Sequence, residues 1–499
     1  MPILIVVDNP DRWPLSIRGV DVVAARRYLT DPAFHRMPNT RVFNLCRSYS
    51  YQSLGYYVSL LAEARDQKPE PDTMTIQDMR SAALVRVITE DLDEIIRKTL
   101  RTVRPPTFEL SIYFGRTLAK RDEILGRRLF GRFRCPLLRA KFVCRRNQWW
   151  LQSVRPIPAS DVPEPHHETV VAAAEHYFAQ RYHAGRFARP PRYNLAILHD
   201  PAEQAPPSNP PALRKFMRAA QRYGVGTELI TRDDLGRLGE FDALFIRTTT
   251  YVNHYTYRFA RRAVAEGMAV IDDPLSIARC TNKVYLAELL TLHRLATPRT
   301  VIVQRDNVDT VIDQLGLPLV LKQPDSSFSQ GVVKVDNPDN CRHQIDALLD
   351  KSEAVIAQAF MPSPYDWRIG VLDGQPLYAC KYYMARNHWQ IMKWVPGKET
   401  RYGKTETLPI DEAPNQVVRA AVRAARLVGD GLYGVDLKLI DGKAYVIEVN
   451  DNPNIDSNHE DRVLGDKLYE HVIRSFVARI ERIRQGAAKR AEHTQAGAL

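Results

Sequence analysis

Residues 434–453 read GVDLKLIDGKAYVIEVNDNP, and this stretch decides the fold of the C-terminal half of the chain. Apolar and polar residues alternate on both sides of Asp441-Gly442, which is a strong signal for a two-residue turn. The pattern therefore predicts an antiparallel hairpin. Glu448 and Asn450 are two positions apart on one strand, so their side chains are expected on the same face of the sheet.

The hairpin offers oxygen ligands for a cation if Asp436 shares that face. Two carboxylates and an amide oxygen are hard ligands of the kind that Mg²⁺ takes beside phosphate and water. A strict two-residue turn would pair Asp436 with Ile447 and send Asp436 and Glu448 to opposite faces. A metal site therefore predicts a three-residue loop or a bulge within the hairpin. The alternative is a surface hairpin with solvated acids.

Two upstream segments predict contacts with a nucleotide. Residues 319–322 (LVLK) form a strand that ends in Lys322, followed by a serine-rich loop to Gly331 and a second strand. Backbone N–H groups and hydroxyls of such a loop can fold over phosphates while a lysine neutralises their charge. Residues 354–361 (AVIAQAFM) predict a strand that offers backbone groups to an adenine edge, or else a plain core strand. No GxxxxGK[ST] motif is present.

Length and composition indicate several domains. The 499 residues exceed the roughly 250–300 at which one hydrophobic core stops growing, which predicts two or three domains. No run of about 18 uncharged apolar residues predicts a membrane span, and residues 1–14 lack the basic region of a signal peptide. The cysteines show neither zinc nor disulfide spacing, so the expected location is the cytoplasm. They are Cys46, Cys135, Cys144, Cys280, Cys341 and Cys380.

Positive charge concentrates in the first part of the chain. The formal net charge is +12, and residues 1–190 hold 30 Lys and Arg against 20 Asp and Glu. Within residues 116–146 only Asp122 and Glu123 oppose a run of basic residues. Such a run attracts polyanions or an acidic partner, or else forms a solvated face whose arginine stems pack on apolar surface. No RNA-reading motif accompanies it, so nucleic acid is not an expected partner. A membrane is not expected either, because no long apolar run is present.

Strands and helices alternate after Tyr193, which predicts a small parallel sheet. A sheet of this kind binds ligands at the carboxyl ends of its strands, where Arg247 would lie. The expected strands are Asn194–His199, Thr227–Thr231, Asp242–Arg247 and Ala269–Ile271, and the expected helices are Pro211–Tyr223 and Tyr257–Glu266.

The first 190 residues predict a further α/β domain. Its expected elements are the strand Ile3–Val7 and the helices Val20–Leu29, Tyr56–Arg65 and Thr169–His183. Residues 48–53, which are rich in hydroxyl and amide groups, form either a ligand or partner loop or ordinary capping and turn structure. Proline-rich loops or linkers are expected at 155–167, 189–192 and 200–211, and a frayed tail is expected after Ile483.

In chain order these segments resemble the ATP-grasp superfamily, and within it the RimK-like amino-acid ligases. Any one segment is weak evidence for the resemblance, but six in the right order over residues 194–480 are a fairly specific sign of this superfamily. They are Asn282-Lys283, Val320-Leu321-Lys322 with the loop to Gly331, Gln358-Ala359-Phe360-Met361, Asp366-Trp367-Arg368, Gly434-Val435-Asp436 and Glu448–Pro453. Residues 1–190 resemble the accessory N-terminal domain of a subgroup of RimK-like proteins.

The resemblance implies a mixed α/β and α+β architecture. Residues 1–190 would be the basic accessory domain and 191–278 a parallel α/β pre-ATP-grasp domain. Residues 279–484 would form the ATP-grasp domain, with two α+β subdomains that clamp ATP, and 485–499 a flexible tail. The implied family reaction phosphorylates a carboxylate to an acyl phosphate, which an amine then attacks to give an amide.

The resemblance also implies ATP and two Mg²⁺ ions, or Mn²⁺, as cofactors. Asp436, Glu448 and Asn450 would bind the metal. Arg368 would be catalytic, holding the acyl phosphate or the substrate carboxylate through bidentate hydrogen bonds. ATP would be bound by Lys283, Lys322, Ser326, Ser327, Gly331, Gln358, Ala359, Phe360, Met361 and Asp366.

Two departures from the family pattern leave the substrate open. Ala359 stands where relatives have Glu, although a backbone contact survives that change. Residues 388–392 (HWQIM) stand where relatives have an Arg-Ser-Asn triplet, so addition of glutamate is one candidate reaction among others. The substrate-binding candidates are Arg247, Arg386 and Lys393, with Lys398 a further basic residue of the same loop.

The partners are left at the level of chemical class. An amino-acid donor and an amine acceptor are expected, the acceptor being a peptide, a protein or a small molecule, acidic ones included. The oligomeric state, a homo-oligomer included, stays open. Two other functions also remain, namely an ATP-grasp phosphotransferase and a catalytically idle fold that binds RNA or an acidic protein.

Overall fold

The computed structural model describes residues 3–13, 15, 17, 20–37, 40–65, 67–89, 92–146, 148–179, 191–325, 331–386, 388–393 and 401–496. The chain separates into two compact units, which are described in turn. The first comprises Met1–Pro190 with Asp233–Glu240, and the second comprises Pro191–Arg232 with Phe241–Leu499. No helix in the described part of the chain combines the length and apolar character needed to cross a membrane.

The first unit contains a four-stranded parallel sheet in the order β2-β1-β3-β4. Its strands are β1 (Ile3–Val7), β2 (Asp21–Ala24), β3 (Arg41–Asn44) and β4 (Lys68–Glu70), and its first helices are α1 (Ala25–Thr30), α2 (Leu54–Ala64) and α3 (Thr73–Arg80). The prediction of a helix over Val20–Leu29 is wrong in its first half. Val22 and Val23 are β-branched and pair in parallel with the apolar strand β1, a position that suits them better than a helix.

The first unit also contains an antiparallel sheet in the order β6-β5-β7-β8, which the sequence analysis did not predict. Its strands are β5 (Thr107–Tyr113), β6 (Arg116–Thr117), β7 (Leu137–Arg145) and β8 (Gln148–Pro156). The helices that accompany it are α4 (Ala82–Ile88), α5 (Asp93–Leu100), α6 (Glu123–Arg132) and α7 (His167–Ala179). Leu138, Ala140 and Phe142 are fully buried in the core on one face of β7, and the basic residues between them lie on the other face.

The second unit begins with the predicted parallel sheet, in the order β10-β9-β11-β12. Its strands are β9 (Tyr193–Leu198), β10 (Val225–Ile230), β11 (Ala243–Ile246) and β12 (Ala269–Ile271), and its helices are α8 (Pro210–Arg222) and α9 (Tyr255–Ala265). All four predicted strands are confirmed to within two residues. Phe245 of this sheet packs against Phe476 near the C-terminus, with ring centroids 5.3 Å apart.

The described part of the second unit also contains two larger antiparallel sheets. The first has the order β13-β16-β14-β15, with β13 (Thr300–Val303), β14 (Leu319–Lys322), β15 (Val332–Val335) and β16 (Val355–Ala359). The second has the order β21-β18-β17-β22-β23, with β17 (Tyr365–Leu372), β18 (Gln375–Tyr383), β21 (Thr405–Leu408), β22 (Leu432–Ile440) and β23 (Lys443–Asp451). A two-stranded ribbon joins β19 (Met392–Lys393) to β20 (Arg401–Tyr402).

Six helices flank these sheets, and the last one is longer than expected. They are α10 (Pro274–Thr281), α11 (Lys283–Leu292), α12 (Val311–Leu315), α13 (Pro338–Leu349), α14 (Asn415–Val428) and α15 (Asp466–Ala496). The segment expected to fray after Ile483 is helical as far as Ala496. Its content of Ala, Arg, Gln, Lys and Glu, all good helix formers, accounts for the extension.

Candidate active site

Strands β22 and β23 form the predicted hairpin. The two central residues of its turn, Asp441-Gly442, have φ angles of +49° and +72°, as a type I′ turn requires. The register shifts by one residue after Asp436, so that Asp436 lies directly opposite Glu448. Ile447 is the extra residue of a β-bulge. The predicted bulge is confirmed, and it sets the two carboxylates on one face.

Arg368 holds Asp436 through two parallel hydrogen bonds. The two residues are opposite each other on β17 and β22. Arg368 Nε donates to Asp436 Oδ1 at 2.7 Å, and Nη2 donates to Oδ2 at 2.6 Å. Asn450 Nδ2 donates to the same Oδ2 at 3.0 Å. Three side chains of the predicted site therefore form one connected cluster, and the ring of Tyr382 lies 5.0 Å from the guanidinium carbon.

Lys283 and Lys322 bring two ammonium groups to Glu448 and Gln358. Lys283 is the first residue of α11, which Asn282 caps with its side-chain oxygen. Its Nζ lies 3.0 Å from Glu448 Oε1. Lys322 ends β14, and its Nζ donates to Gln358 Oε1 at 2.8 Å. Lys283, Lys322, Gln358 and Glu448, four residues that lie far apart in the sequence, thus meet at one place.

A pocket opens between these polar groups and an apolar wall. Lys283, Lys322, Gln358 and Glu448 line its polar side. Its other lining residues are Leu286, Ala287, Leu290, Thr297, Thr300, Ile356, Val446 and Ile447. Thr300 was not predicted, and its Oγ1 accepts a hydrogen bond from Gln358 Nε2 at 3.0 Å. A charged end beside an apolar wall suits a ligand that joins an anionic group to an aromatic ring.

Burial and neighbouring charges shift the protonation equilibria of the site. Burial, together with the Lys283 ammonium, lowers the pKa of Lys322 to about 8. Burial by itself would raise the pKa of Glu448, but Lys283 and Lys322 outweigh it and hold that pKa below its ordinary value. Burial raises the pKa of Asp436 in spite of the opposing charge of Arg368. An anion arriving beside Lys322 would favour its charged form.

Asp366 is held by a lysine that the sequence analysis did not single out. Lys438 Nζ lies 2.6 Å from Asp366 Oδ1 and 2.5 Å from Ser363 Oγ. Ser363 Oγ also donates to Asp366 Oδ1 at 3.2 Å. The only signal in the sequence was the position of Lys438 two residues after Asp436 on the same strand. Asp366, predicted to face the ribose, is thus already paired within the protein.

The phosphate loop is described only at its ends. Ser326 and Ser327 lie outside the described residues. Gly331 has a φ of +69°, and its carbonyl oxygen accepts a hydrogen bond from the N–H of Gln323 at 3.0 Å. A Cβ at this position would lie 2.6 Å from Gln323 Oε1. The backbone conformation favours glycine here, and a Cβ would also require the Gln323 side chain to shift.

The end of β16 was predicted to contact adenine through its backbone. The N–H of Ala359 donates to the carbonyl of Arg299 at 2.8 Å, and the N–H of Phe360 donates to that of Pro318 at 3.1 Å. These two donors are therefore used within the protein. Met361 is the next residue of the predicted hinge, and the carbonyl groups of the segment can still accept hydrogen bonds.

Arg247, a predicted substrate residue, is fully buried and bonded to the protein itself. Its Nε donates to Ser208 Oγ at 3.0 Å and its Nη1 to Asn452 Oδ1 at 2.7 Å. Its Nη2 donates to the carbonyl of Pro453 at 2.9 Å and to that of Pro207. The strand end does place this arginine where a ligand was expected, but two loops close over it, so its role in the structure is to join them.

Replacement of Arg247 by methionine is expected to lower the free energy of unfolding by about 3 kcal/mol, because buried hydrogen-bond acceptors would lose their donor. Equilibrium denaturation of the full chain measures this loss. Arg386 lies in an exposed turn, so Arg386→Met is a matched control with an expected change below about 0.5 kcal/mol. A loss below about 1 kcal/mol for Arg247→Met would contradict the structural role.

The structure says less about the other two substrate candidates, Arg386 and Lys393. Arg386 precedes the ribbon formed by β19 and β20, and its side chain is exposed. Lys393 is the second residue of β19, but its side chain lies outside what the structure describes, as does Lys398. The structure does not bring Arg386 into the cluster around Glu448.

The donor set on the hairpin matches the chemistry of a hard cation only in part. No group of three or more His, Cys, Asp and Glu side chains gathers at metal-binding distance within the described ranges. Asp436 and Glu448 supply carboxylates and Asn450 an amide oxygen, which is the sparse protein contribution that Mg²⁺ accepts when phosphates and water complete its shell. The residues present therefore fit a nucleotide-associated Mg²⁺ rather than a cage formed by the protein alone.

Two family models match the chain. Residues 25–173 match the RimK-like ATP-grasp N-terminal domain, and residues 280–475 match the RimK-like ATP-grasp domain. The chain belongs to the RimK-like ATP-grasp family. The second match contains the hairpin, both lysines and Arg368, so the cluster described above lies inside the ATP-grasp domain. The fold class inferred from the sequence is confirmed by these matches and by the observed sheets.

Individual relatives of this ATP-grasp protein are named ligases. A probable alpha-L-glutamate ligase of Teredinibacter turnerae is 25% identical over 229 residues, which are 45% of this chain and 73% of that protein. The alpha-aminoadipate–LysW ligase LysX of Saccharolobus solfataricus is 28% identical over 195 residues, which are 38% and 67% of the two chains. A D-alanine–D-alanine ligase structure from Bacillus anthracis has a TM-score of 0.47 at 16% identity, covering 60% of this chain and 99% of that one.

Proposed function

We propose that this chain is an ATP-dependent carboxylate–amine ligase that forms an amide bond through an acyl phosphate. The observation that carries the proposal is the meeting of Lys283, Lys322 and Glu448 around one pocket of the ATP-grasp domain. Two ammonium groups and one carboxylate at the end of an apolar pocket suit a nucleoside triphosphate with its bound metal ion. The names of the relatives support ligation as the reaction that uses this nucleotide.

The nucleotide would lie along the pocket from its apolar wall to the lysines. Lys283 and Lys322 would neutralise the phosphates, with Gly331 and the loop that contains Ser326 and Ser327 above them. Adenine would meet the backbone from Ala359 through Phe360 to Met361, with Gln358 beside it. Asp366 would face the ribose, and its hydrogen bond from Lys438 would be replaced in part by one from a ribose hydroxyl. These positions are proposals for each named residue.

Asp436, Glu448 and Asn450 would hold the metal, proposed as two Mg²⁺ ions, with Mn²⁺ as a substitute. When bound, these ions would supply positive charge along the phosphates. The structural consequence for the protein is that Asp436 must share its oxygens between the cation and Arg368. Arg368 would then donate some of its N–H groups to the acyl phosphate or the substrate carboxylate.

The proposed chemistry balances without a protein acid or base. A carboxylate oxygen of the donor attacks the γ-phosphorus of ATP, and ADP leaves. An amine then attacks the carbonyl carbon of the acyl phosphate, and the bond from that carbon to the bridging oxygen breaks. Inorganic phosphate leaves and takes up the proton that the amine nitrogen loses. The protein orients the reactants and balances charge, which is where catalysis of phosphoryl transfer mainly lies.

The donor is proposed to be an amino acid, with glutamate as the first candidate, because relatives carry the name alpha-L-glutamate ligase. The acceptor is proposed to be a peptide, a protein or a small amine. The six cysteines are free thiols, five of them buried, which supports the proposal of a cytoplasmic enzyme.

Release of ADP is expected only when both a carboxylate and an amine are present, at a rate of at least ten times the background hydrolysis. Coupled ADP detection across single amino acids and acidic peptides, with mass spectrometry of the product, measures this. A product whose mass equals that of donor plus acceptor minus one water is the amide. A phosphorylated product without any need for an amine would indicate a phosphotransferase instead, and absence of ADP release and of ATP binding would indicate an idle fold.

A further inference from the structure

One face of the antiparallel sheet in the first unit carries a set of basic side chains. Arg139, Lys141 and Arg145 are alternate residues of β7, so they share a face. Arg155 of β8 lies directly opposite Arg139 and therefore joins the same face. We call these four residues the basic sheet face. Arg145 and Arg155 are exposed, and Arg139 and Lys141 are half-buried.

The neighbours on this face do not neutralise it. Ser111 of β5 lies opposite Arg139, and Ser153 of β8 lies opposite Lys141. Glu109 of β5 also lies opposite Lys141 and is the one acid of these pairs, but its exposed carboxylate makes no ion pair with Lys141 among the described residues. Among the described residues, none forms a side-chain hydrogen bond or ion pair with any member of the basic sheet face.

Arg139 and Arg155 are an unfavourable pair for stability alone. Like charges directly opposite each other on neighbouring strands destabilise a sheet. Several arginines elsewhere in this unit do have an acidic partner, as in the pair formed by Arg127 and Glu123 at 2.6 Å. The unpaired cations of the sheet face therefore point to a ligand that brings negative charge.

The geometry favours an extended acidic polypeptide over a nucleic acid. Alternate residues of β7 are about 6.8 Å apart, which is also the spacing of alternate side chains in an extended peptide laid along the strand. A single nucleic-acid strand gains much of its affinity from stacking of bases on aromatic rings. Trp150, on the same face near Val143, is already covered by the guanidinium of Arg86 at 5.6 Å.

We propose that the basic sheet face binds an acidic segment of a polypeptide, with carboxylates on Arg139, Arg155 and Lys141. The serine hydroxyls at Ser111 and Ser153 would donate further hydrogen bonds to the same carboxylates. This proposal rests on the charges and register of the first unit and does not depend on the ligase activity of the second.

Fluorescence anisotropy with a labelled decaglutamate peptide and the full chain tests the proposal. Arg139→Gln/Arg155→Gln is expected to weaken binding by about tenfold or more, since two charge-assisted contacts are lost. Arg80→Gln/Arg101→Gln removes the same charge from exposed positions at the ends of α3 and α5, and less than about a twofold change is expected. Arg139→Lys/Arg155→Lys is expected to retain most of the affinity.

Each other outcome would overturn the proposal. These outcomes are no binding of decaglutamate by the wild-type chain at low salt, or equal weakening in the sheet variant and the Arg80/Arg101 control. A decauridylate oligonucleotide that binds more tightly than decaglutamate and is lost in the sheet variant would assign the face to nucleic acid. A thermal melt of Arg139→Gln/Arg155→Gln checks that this variant is folded. Its melting temperature should equal or exceed that of the wild type, because two like charges that face each other are removed.

Discussion

Replacing Glu448 with glutamine is expected to lower kcat/KM for ATP-dependent amide formation by about 10³-fold. Glu448 is the carboxylate that both lysines of the pocket face, and it is the proposed metal ligand of β23. Glutamine keeps the size of the side chain and can still accept a hydrogen bond from Lys283. The loss therefore isolates the negative charge. Steady-state ADP release and product mass spectrometry measure it.

The control for Glu448 is an acid of the same domain outside the cluster. Glu412 is exposed, so Glu412→Gln is expected to change kcat/KM by less than about twofold. The Mg²⁺ concentration that supports half-maximal ATP binding should rise in Glu448→Gln and stay unchanged in Glu412→Gln. Full activity of Glu448→Gln at the same Mg²⁺ requirement would remove this residue from the proposed mechanism.

Replacing Lys322 with methionine is expected to lower kcat/KM for ATP by about 10²-fold or more. The ammonium of Lys322 is half-buried and bonded to Gln358, so bulk solvent screens its interaction with a phosphate only in part. Methionine fills the same space without the charge. Lys351 is exposed, and Lys351→Met is the matched control, with an expected change below about twofold.

The pH profile separates a charge effect from a packing effect at Lys322. Its pKa is lowered to about 8 by burial, and phosphate favours the protonated form. The favourable charge is therefore complete well below pH 8 and is lost as the pH rises through that value. In the wild type, kcat/KM for ATP should fall above about pH 8 by up to tenfold per unit. The same plot should be flat in Lys322→Met, and a parallel fall there would assign the titration to another group.

The core of the site could be predicted because its signals are local. Period-two alternation and Asp441-Gly442 define the hairpin, and a shared face for Asp436 and Glu448 required either a three-residue loop or a bulge. These inferences use strand geometry and the order of segments, both of which are written in the sequence. The contact of Arg368 with Asp436 was not predicted, because it depends on the register of β17 on β22.

The remaining features depend on contacts between distant segments. The pairing of Lys438 with Asp366 follows from the register of β17 on β22, which no local pattern defines. Arg247 was correctly placed at a strand end, but the loops that bury it come from residues 207–208 and 452–453. The antiparallel sheet of the first unit was not predicted. The basic residues of β7 were interpreted only as a charged stretch, although they alternate with apolar residues at the period of a strand.

The bulge at Ile447 has a consequence for how relatives of this chain should be aligned. Because Ile447 stands outside the ladder, removing it would still leave Asp436 opposite Glu448, with the turn unchanged. A homologous sequence that is one residue shorter at this point would keep both acids facing each other. A deletion of one residue here is therefore no sign of a lost site, and profile searches should tolerate a gap at position 447.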